Sequence, residues 1–195
     1  MFPPMSHPAK PRVRRIGTAA ALAWLLPAMA LAGQLPPGFV YLRDVAPGIA
    51  QDMRYAGPDN FTGAPVPGYD AAECILRREV AEALAKVQAD LAAQNLSLKV
   101  YDCYRPTRAV AAFGRWARAP EASGAPTRRF YPRLGKRTLF AGYIAARSAH
   151  SEGIAVDLTL VARDAPPAPA YDPPARYGAC TAPAADRAPD NSLDM

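Results

Sequence analysis

Proline restricts this chain more than any other residue. Its 22 prolines gather near the N-terminus and again from Pro166 to Pro189. Proline fixes φ and has no backbone N–H, so it ends helices and interrupts ladders. Regular structure is therefore predicted between those two regions. The 195 residues, 50% of them hydrophobic, suffice for one domain with a real core and are few for two.

Residues 1–32 read as a cleavable export signal. Lys10, Arg12, Arg14 and Arg15 form a basic start, "IGTAAALAWLLPAMALA" an apolar run, and Ala30-Leu31-Ala32 an A-x-A cleavage site. The run is shorter than the roughly 20 residues of a spanning helix and carries Pro27 late in it, so no stable membrane anchor is expected. Cleavage releases a chain from Gly33. The net charge is +6; residues 1–32 hold four basic and no acidic side chains, so +2 remains for residues 33–195. The basic balance is mostly targeting, and no nucleic-acid partner is expected. Three cysteines, Cys74, Cys103 and Cys180, allow one disulfide in an oxidising compartment and leave one over; the spacing does not say which. No CxxC occurs, which argues against a cysteine zinc site.

Between the proline-rich regions the periodicity alternates. Gly38 to Tyr69 reads as short strands and loops. Val80, Leu84, Val87 and Leu91 recur at helical spacing, with Asn95 as the stop. In "LSLKVYDCYRP", Leu98 and Val100 alternate with Ser97, Lys99 and Tyr101, as on a half-buried strand that Pro106 ends. A second helix follows, with Val110, Phe113 and Trp116 as its apolar stripe. Residues 119–138 read as a basic, exposed loop. Strands are predicted near "TLFAGYI" and at "GIAVDLTLV". In the latter, Ile154, Val156, Leu158 and Leu160 share one face, with Ala155, Asp157 and Thr159 on the other. Beyond Val161 a long loop is expected.

Two stretches carry chemistry. The chain has 2 His, His7 and His150, so His150 stands alone once the signal is removed. Ser151-Glu152-Gly153 can turn the chain and return His150 beside Asp157. An imidazole and a carboxylate converging there are two thirds of a catalytic zinc site, which takes three protein ligands and leaves a position for water. The same spacing suits a loop histidine hydrogen-bonded to Asp157. Arg105 sits where a strand ends and a helix begins, fixed by the scaffold yet open to a cleft. It suits a carboxylate or a developing oxyanion, and equally a surface pair with Asp102.

Together, "YDCYRPTRAV" and "SAHSEGIAVDLTL" resemble the D-alanyl-D-alanine dipeptidases, the zinc enzymes that include the vancomycin-resistance dipeptidases. "DMRYAGPDNFTG", "ECILRREVAEAL" and "LFAGYIAARS" agree, over about Val40 to Met195. The resemblance implies an α+β fold with helices on one face of a small antiparallel sheet. It implies Zn2+ as cofactor, with His150 and Asp157 as ligands. Arg105 would stabilise the tetrahedral transition state, and Ser148 would lie near the substrate carboxylate. The implied substrate is a small D,D-dipeptide, in an exported, periplasmic enzyme of cell-wall turnover.

The family draws its third ligand, a histidine, and its catalytic glutamate from a downstream segment. Here no His and no Glu follow Asp157, and the domain is expected to lack its C-terminal segment. Glu152 reads as an exposed turn charge rather than as the base. Two other functions stay open: a peptidoglycan carboxypeptidase or endopeptidase of the same fold, and a non-catalytic wall-peptide-binding protein.

Overall fold

Regular structure does fall between the proline-rich regions in a computed structural model of the chain, which describes residues 35–121, 125–139, 142, 144–145, 147–172 and 175–193. The predicted signal over residues 1–32 lies outside the described residues. From Leu35 onward the chain clusters as one compact unit. Its elements in order are β1 (Phe39–Tyr41), α1 (Leu42–Val45), β2 (Ala50–Gln51), β3 (Ile75–Arg77), α2 (Arg78–Ala92), β4 (Leu96–Asp102), α3 (Thr107–Arg118), α4 (Lys136–Leu139) and β5 (Asp157–Ala162), with short 3-10 turns between them.

The fold is α+β, as expected. β1 pairs antiparallel with β3. A second sheet has the order β2-β4-β5. It is mixed rather than purely antiparallel: β4 and β5 run antiparallel, while β2 lies parallel to β4. β4 is thus central, with β2 and β5 paired along its two edges. Ser97 and Lys99 are buried along with Leu98 and Val100, so the strand is not half-exposed. The alternation is the period-2 geometry of any strand, and what lies over the polar face decides the burial. Gln88 from α2 covers Ser97, while Lys99 reaches Asp52 and the carbonyl of Asp190.

α2 spans the predicted helix, but Val87 is 45% exposed. The buried residues are Ala81 and Leu84, so the seam is narrower than the spacing suggested. The helix stops at Ala92, and Asn95 adopts φ +56 to turn the chain into β4. α3 buries Val110 and Phe113 as expected, together with Ala109, Gly114 and Ala117. Thr138–Leu139 of the predicted "TLFAGYI" strand are helical, in α4; Phe140, Ala141 and Tyr143 lie outside the described residues. The basic 119–138 segment is not simply exposed. Tyr131 is buried, and Phe130 and Leu134 pack against the same cluster.

β5 begins at Asp157, later than predicted, because Gly153 is left-handed at φ +74 and ends a 3-10 turn over Ala149–Glu152. Ile154 therefore precedes the strand, and both it and Leu158 are exposed, whereas Thr159 and Val161 are buried. The proline-rich tail is a long loop that returns to the sheet. The Leu193 N–H donates to the Leu160 carbonyl at 2.9 Å, and Ser192 bridges to Val161.

Two apolar clusters result. One joins Leu42, Leu76, Leu84, Leu98 and Val100. The other gathers Phe113, Tyr131, Leu139 and Ile144, with Tyr55, Phe61 and Trp116 against it. Cys74 and Cys103 form the disulfide inside the first cluster, and Cys180 is free and exposed.

Candidate functional site

The end of β4 and the start of β5 build the site. Asp102 pairs with Asp157 across the ladder, after a register shift beyond Val100. Pro106 follows within four residues. It ends the strand and caps α3, and it holds the preceding Arg105 in extended backbone. The chain then returns as the 3-10 turn carrying His150. Three hydrogen bonds stitch this turn to the end of β4. The Arg105 N–H donates to the His150 carbonyl at 3.1 Å. The Ser151 hydroxyl donates to the Arg105 carbonyl at 2.7 Å. His150 Nδ1 meets the Cys103 carbonyl at 2.9 Å. On the far side, the Arg77 N–H donates to the Gly153 carbonyl.

The bond to Cys103 fixes the imidazole. A carbonyl can only accept, so in the neutral imidazole Nδ1 carries the proton and Nε2 keeps its lone pair. Nε2 faces Asp157 Oδ1 at 3.4 Å. An imidazole nitrogen and a carboxylate oxygen so disposed are the donor types zinc takes. The centre thus offers zinc two donors, where catalytic zinc usually takes three protein ligands.

Asp102 lies within 4.8 Å of the same atoms, but it serves a different purpose. Its Oδ1 accepts from the Tyr69 hydroxyl at 2.7 Å and from the Cys103 N–H at 3.0 Å. Its Oδ2 takes both Arg105 Nε and Nη2, at 2.8 and 2.7 Å. It stands on the Nδ1 side of His150, 3.5 Å away, opposite the free lone pair. Asp102 is the anchor of Arg105, its side chain 0% exposed.

Arg105 Nη2 also reaches Asp157 Oδ2 at 3.5 Å. Its guanidinium carbon lies 5.4 Å from the ring centroids of both Tyr55 and Phe113. Nη1 has no hydrogen-bond partner among the described residues. A cavity of ≈ 480 Å³ opens over the group, lined by Arg105, His150, Asp157, Ser148 and aromatic residues including Tyr55 and Phe130.

The charges are mutually tuned. Burial pushes the Asp157 carboxyl up, but the hydrogen bond and charge of His150, with the charge of Arg105, outweigh it and leave it below the usual carboxylate range. Burial pushes His150 down. When the ring is protonated, Nε2–H can donate to Asp157; that bond and the nearby Asp102 and Asp157 charges reverse this, and the imidazole ends above its ordinary 6.5. Burial raises Asp102 despite Arg105. Burial likewise drives the Tyr69 and Tyr55 hydroxyls upward, so both stay protonated donors.

All four residues singled out from sequence come together: Arg105, His150 and Asp157 in direct contact, Ser148 on the cavity wall. Glu152 is exposed on the turn, and no glutamate lines the cavity among the described residues. Sequence reasoning met Asp102 only as a surface partner of Arg105. The signal was available: Asp102 continues the Leu98, Val100 row on β4, where a carboxylate must be buried and paired. The Tyr69 hydroxyl and the Cys103 carbonyl left no such mark.

A family model described as D-Ala-D-Ala dipeptidase matches residues 36–167. The chain is 40% identical over 128 residues to a D-alanyl-D-alanine dipeptidase of Enterococcus faecium, covering 65% of this chain and 63% of that one. It is 42% identical over 123 residues to one of Streptomyces coelicolor, covering 63% and 60%. For one of Escherichia coli the figures are 31% over 121 residues, 62% and 52%. The chain thus spans less than two thirds of the length of these relatives. The matched segment contains Arg105, His150 and Asp157 together with the strand ends that position them, and the chain belongs to the D-Ala-D-Ala dipeptidase family.

Proposed function

We propose that the protein hydrolyses the D-alanyl-D-alanine dipeptide to D-alanine, with zinc held by His150 and Asp157. The observation that carries this reading is the His150 Nε2 lone pair facing Asp157 Oδ1, with Arg105 beside both. Bound zinc would polarise the scissile carbonyl and lower the pKa of a coordinated water. Asp157, kept ionised, and His150, kept as the Nδ1–H tautomer, are the donors. Arg105 stays protonated and rigid against Asp102, leaving Nη1 to meet the charge that develops on the carbonyl oxygen. Ser148, on the cavity wall, would receive the substrate carboxylate. The cavity of ≈ 480 Å³ lies in the roughly 300–1,000 Å³ range of small-ligand sites, which gives room for a dipeptide. Membership of the D-Ala-D-Ala dipeptidase family supports the substrate.

Residues 1–32 direct export to the periplasm, residues 33–195 form the dipeptidase domain, and the product is D-alanine recovered from wall turnover. Among the described residues, no helix is long and apolar enough to cross a membrane.

D-alanine release from D-Ala-D-Ala, measured with and without added zinc, tests the reading. Zinc-dependent release that disappears in His150→Ala and in Arg105→Ala is the expected result. Release that persists in both variants would contradict it. One observation favours a second reading: among the described residues, no glutamate lines the cavity beside His150 and Asp157. Saturable binding of the dipeptide without any turnover would then identify a wall-peptide-binding protein.

A further inference from the structure

The disulfide lies closer to the candidate metal centre than its place in the core suggests. Cys103 is the first residue beyond β4, so the ladder that holds Asp102 no longer holds it. Its N–H is taken by the Asp102 side chain, and its carbonyl is the acceptor for His150 Nδ1. Its sulfur is joined to Cys74, 29 residues earlier. Cys74 is itself well fixed. Its N–H donates to Gln51 Oε1 at 2.9 Å, and its carbonyl accepts from the Leu42 N–H at 2.9 Å. Both cysteines are fully buried. The Tyr104 N–H donates to the Ile75 carbonyl, so one residue further the two segments meet again.

We propose that Cys103 is a positioning residue for the metal centre: the bond to Cys74 holds its carbonyl where it orients His150, so the oxidised pair is a condition for full zinc affinity. This rests on the zinc reading above. The physical basis is the outer partner of a ligating histidine. A fixed acceptor on Nδ1 selects the tautomer and aims Nε2, and removing such partners weakens metal binding roughly 10–100-fold. Here that acceptor stands past the end of a strand, and the covalent cross-link holds it together with the Tyr104 N–H bond to the Ile75 carbonyl. The consequence is redox dependence. A chain folded in a reducing compartment would keep Asp157 and His150 but hold the imidazole loosely, and would acquire its metal fully only where disulfides form.

The test compares the full chain, disulfide intact, with Cys74→Ala/Cys103→Ala. Cys180→Ser is included in both, so that no thiol competes for metal. Zinc affinity is measured by competition with a chromophoric chelator, at a temperature where both proteins give the same far-UV circular dichroism. The expected result is roughly 10–100-fold weaker binding in the double variant. Equal affinities overturn the proposal and leave the zinc reading intact. No zinc binding by the intact chain overturns the zinc reading, and the proposal with it. Should the double variant fail to fold, the intact chain alone decides through the 1H–15N spectrum of its imidazole, with His7→Ala making His150 the one histidine. A neutral ring protonated on Nδ1 that becomes a tautomer mixture once the disulfide is reduced supports the proposal; a tautomer unchanged by reduction, or a ring protonated mainly on Nε2, overturns it.

Discussion

At the scale of single residues, the site is a chain of charges in which each member fixes the next. Tyr69 and the Cys103 N–H satisfy one oxygen of Asp102, and the other holds Arg105 by two bonds. Arg105→Lys keeps the charge beside Asp102 and loses the planar fork that takes two hydrogen bonds at once. We expect kcat for D-Ala-D-Ala to fall roughly 10²–10³-fold, the cost of losing one oxyanion donor, with KM little changed; steady-state kinetics check this. His150 gives two pH dependences of opposite sign. Its native value lies above 6.5 because of Asp157 and Asp102, against the effect of burial. In the metal-free chain its contribution to stability is fully present below the unfolded value. It is lost as pH rises through the raised native value. Thermal midpoints should therefore decline across that window relative to His150→Ala. Zinc must displace the same proton, so its affinity should climb with pH over the same window, by about ten-fold per unit below the native value. Midpoints and chelator titrations that moved together would contradict this assignment.

At the scale of elements, the site depends on where two strands end and how one turn returns. Gly153 allows that turn. It adopts φ +74, and a Cβ there would fall 2.4 Å from Phe39 Cε1 and 3.2 Å from the Arg77 backbone nitrogen. Gly153→Ala should cost about 1–3 kcal/mol from backbone strain and should raise KM for the dipeptide by displacing the His150 turn. Chemical denaturation and kinetics read the two effects separately. The sequence showed α2, β4 and α3 clearly, because long periodic runs bounded by Asn95 and Pro106 leave little freedom. It misled at β5. "GIAVDLTLV" has strand composition throughout, yet the left-handed Gly153 delays the strand to Asp157. It misled at Thr138–Leu139 as well, where β-forming residues turn helical against the Phe113 and Tyr131 cluster. Burial followed tertiary cover rather than pattern, as Val87 and Lys99 show.

At the scale of the whole molecule, the centre sits where two apolar clusters meet. Cys103 belongs to one and follows Asp102 at the end of β4, and Phe113, Tyr131, Leu139 and Ile144 from the other line the cavity. The grouping of His150, Asp157 and Arg105, the proposed ligand pair and its arginine, was legible because short motifs carried them. The anchor Asp102 and the acceptor Cys103 were not, since their roles exist only after β4 and the His150 turn are brought together. Export is the second claim at this scale. N-terminal sequencing of the periplasmic protein should begin at Gly33; an uncleaved, cytosolic product would contradict it. The most direct test of the central claim is anomalous diffraction at the zinc edge from crystals grown with zinc. The account predicts one peak about 2.0–2.2 Å from His150 Nε2 and from an Asp157 carboxylate oxygen, with Asp102 still bound to Arg105. A peak on Asp102, or none beside His150, would contradict it.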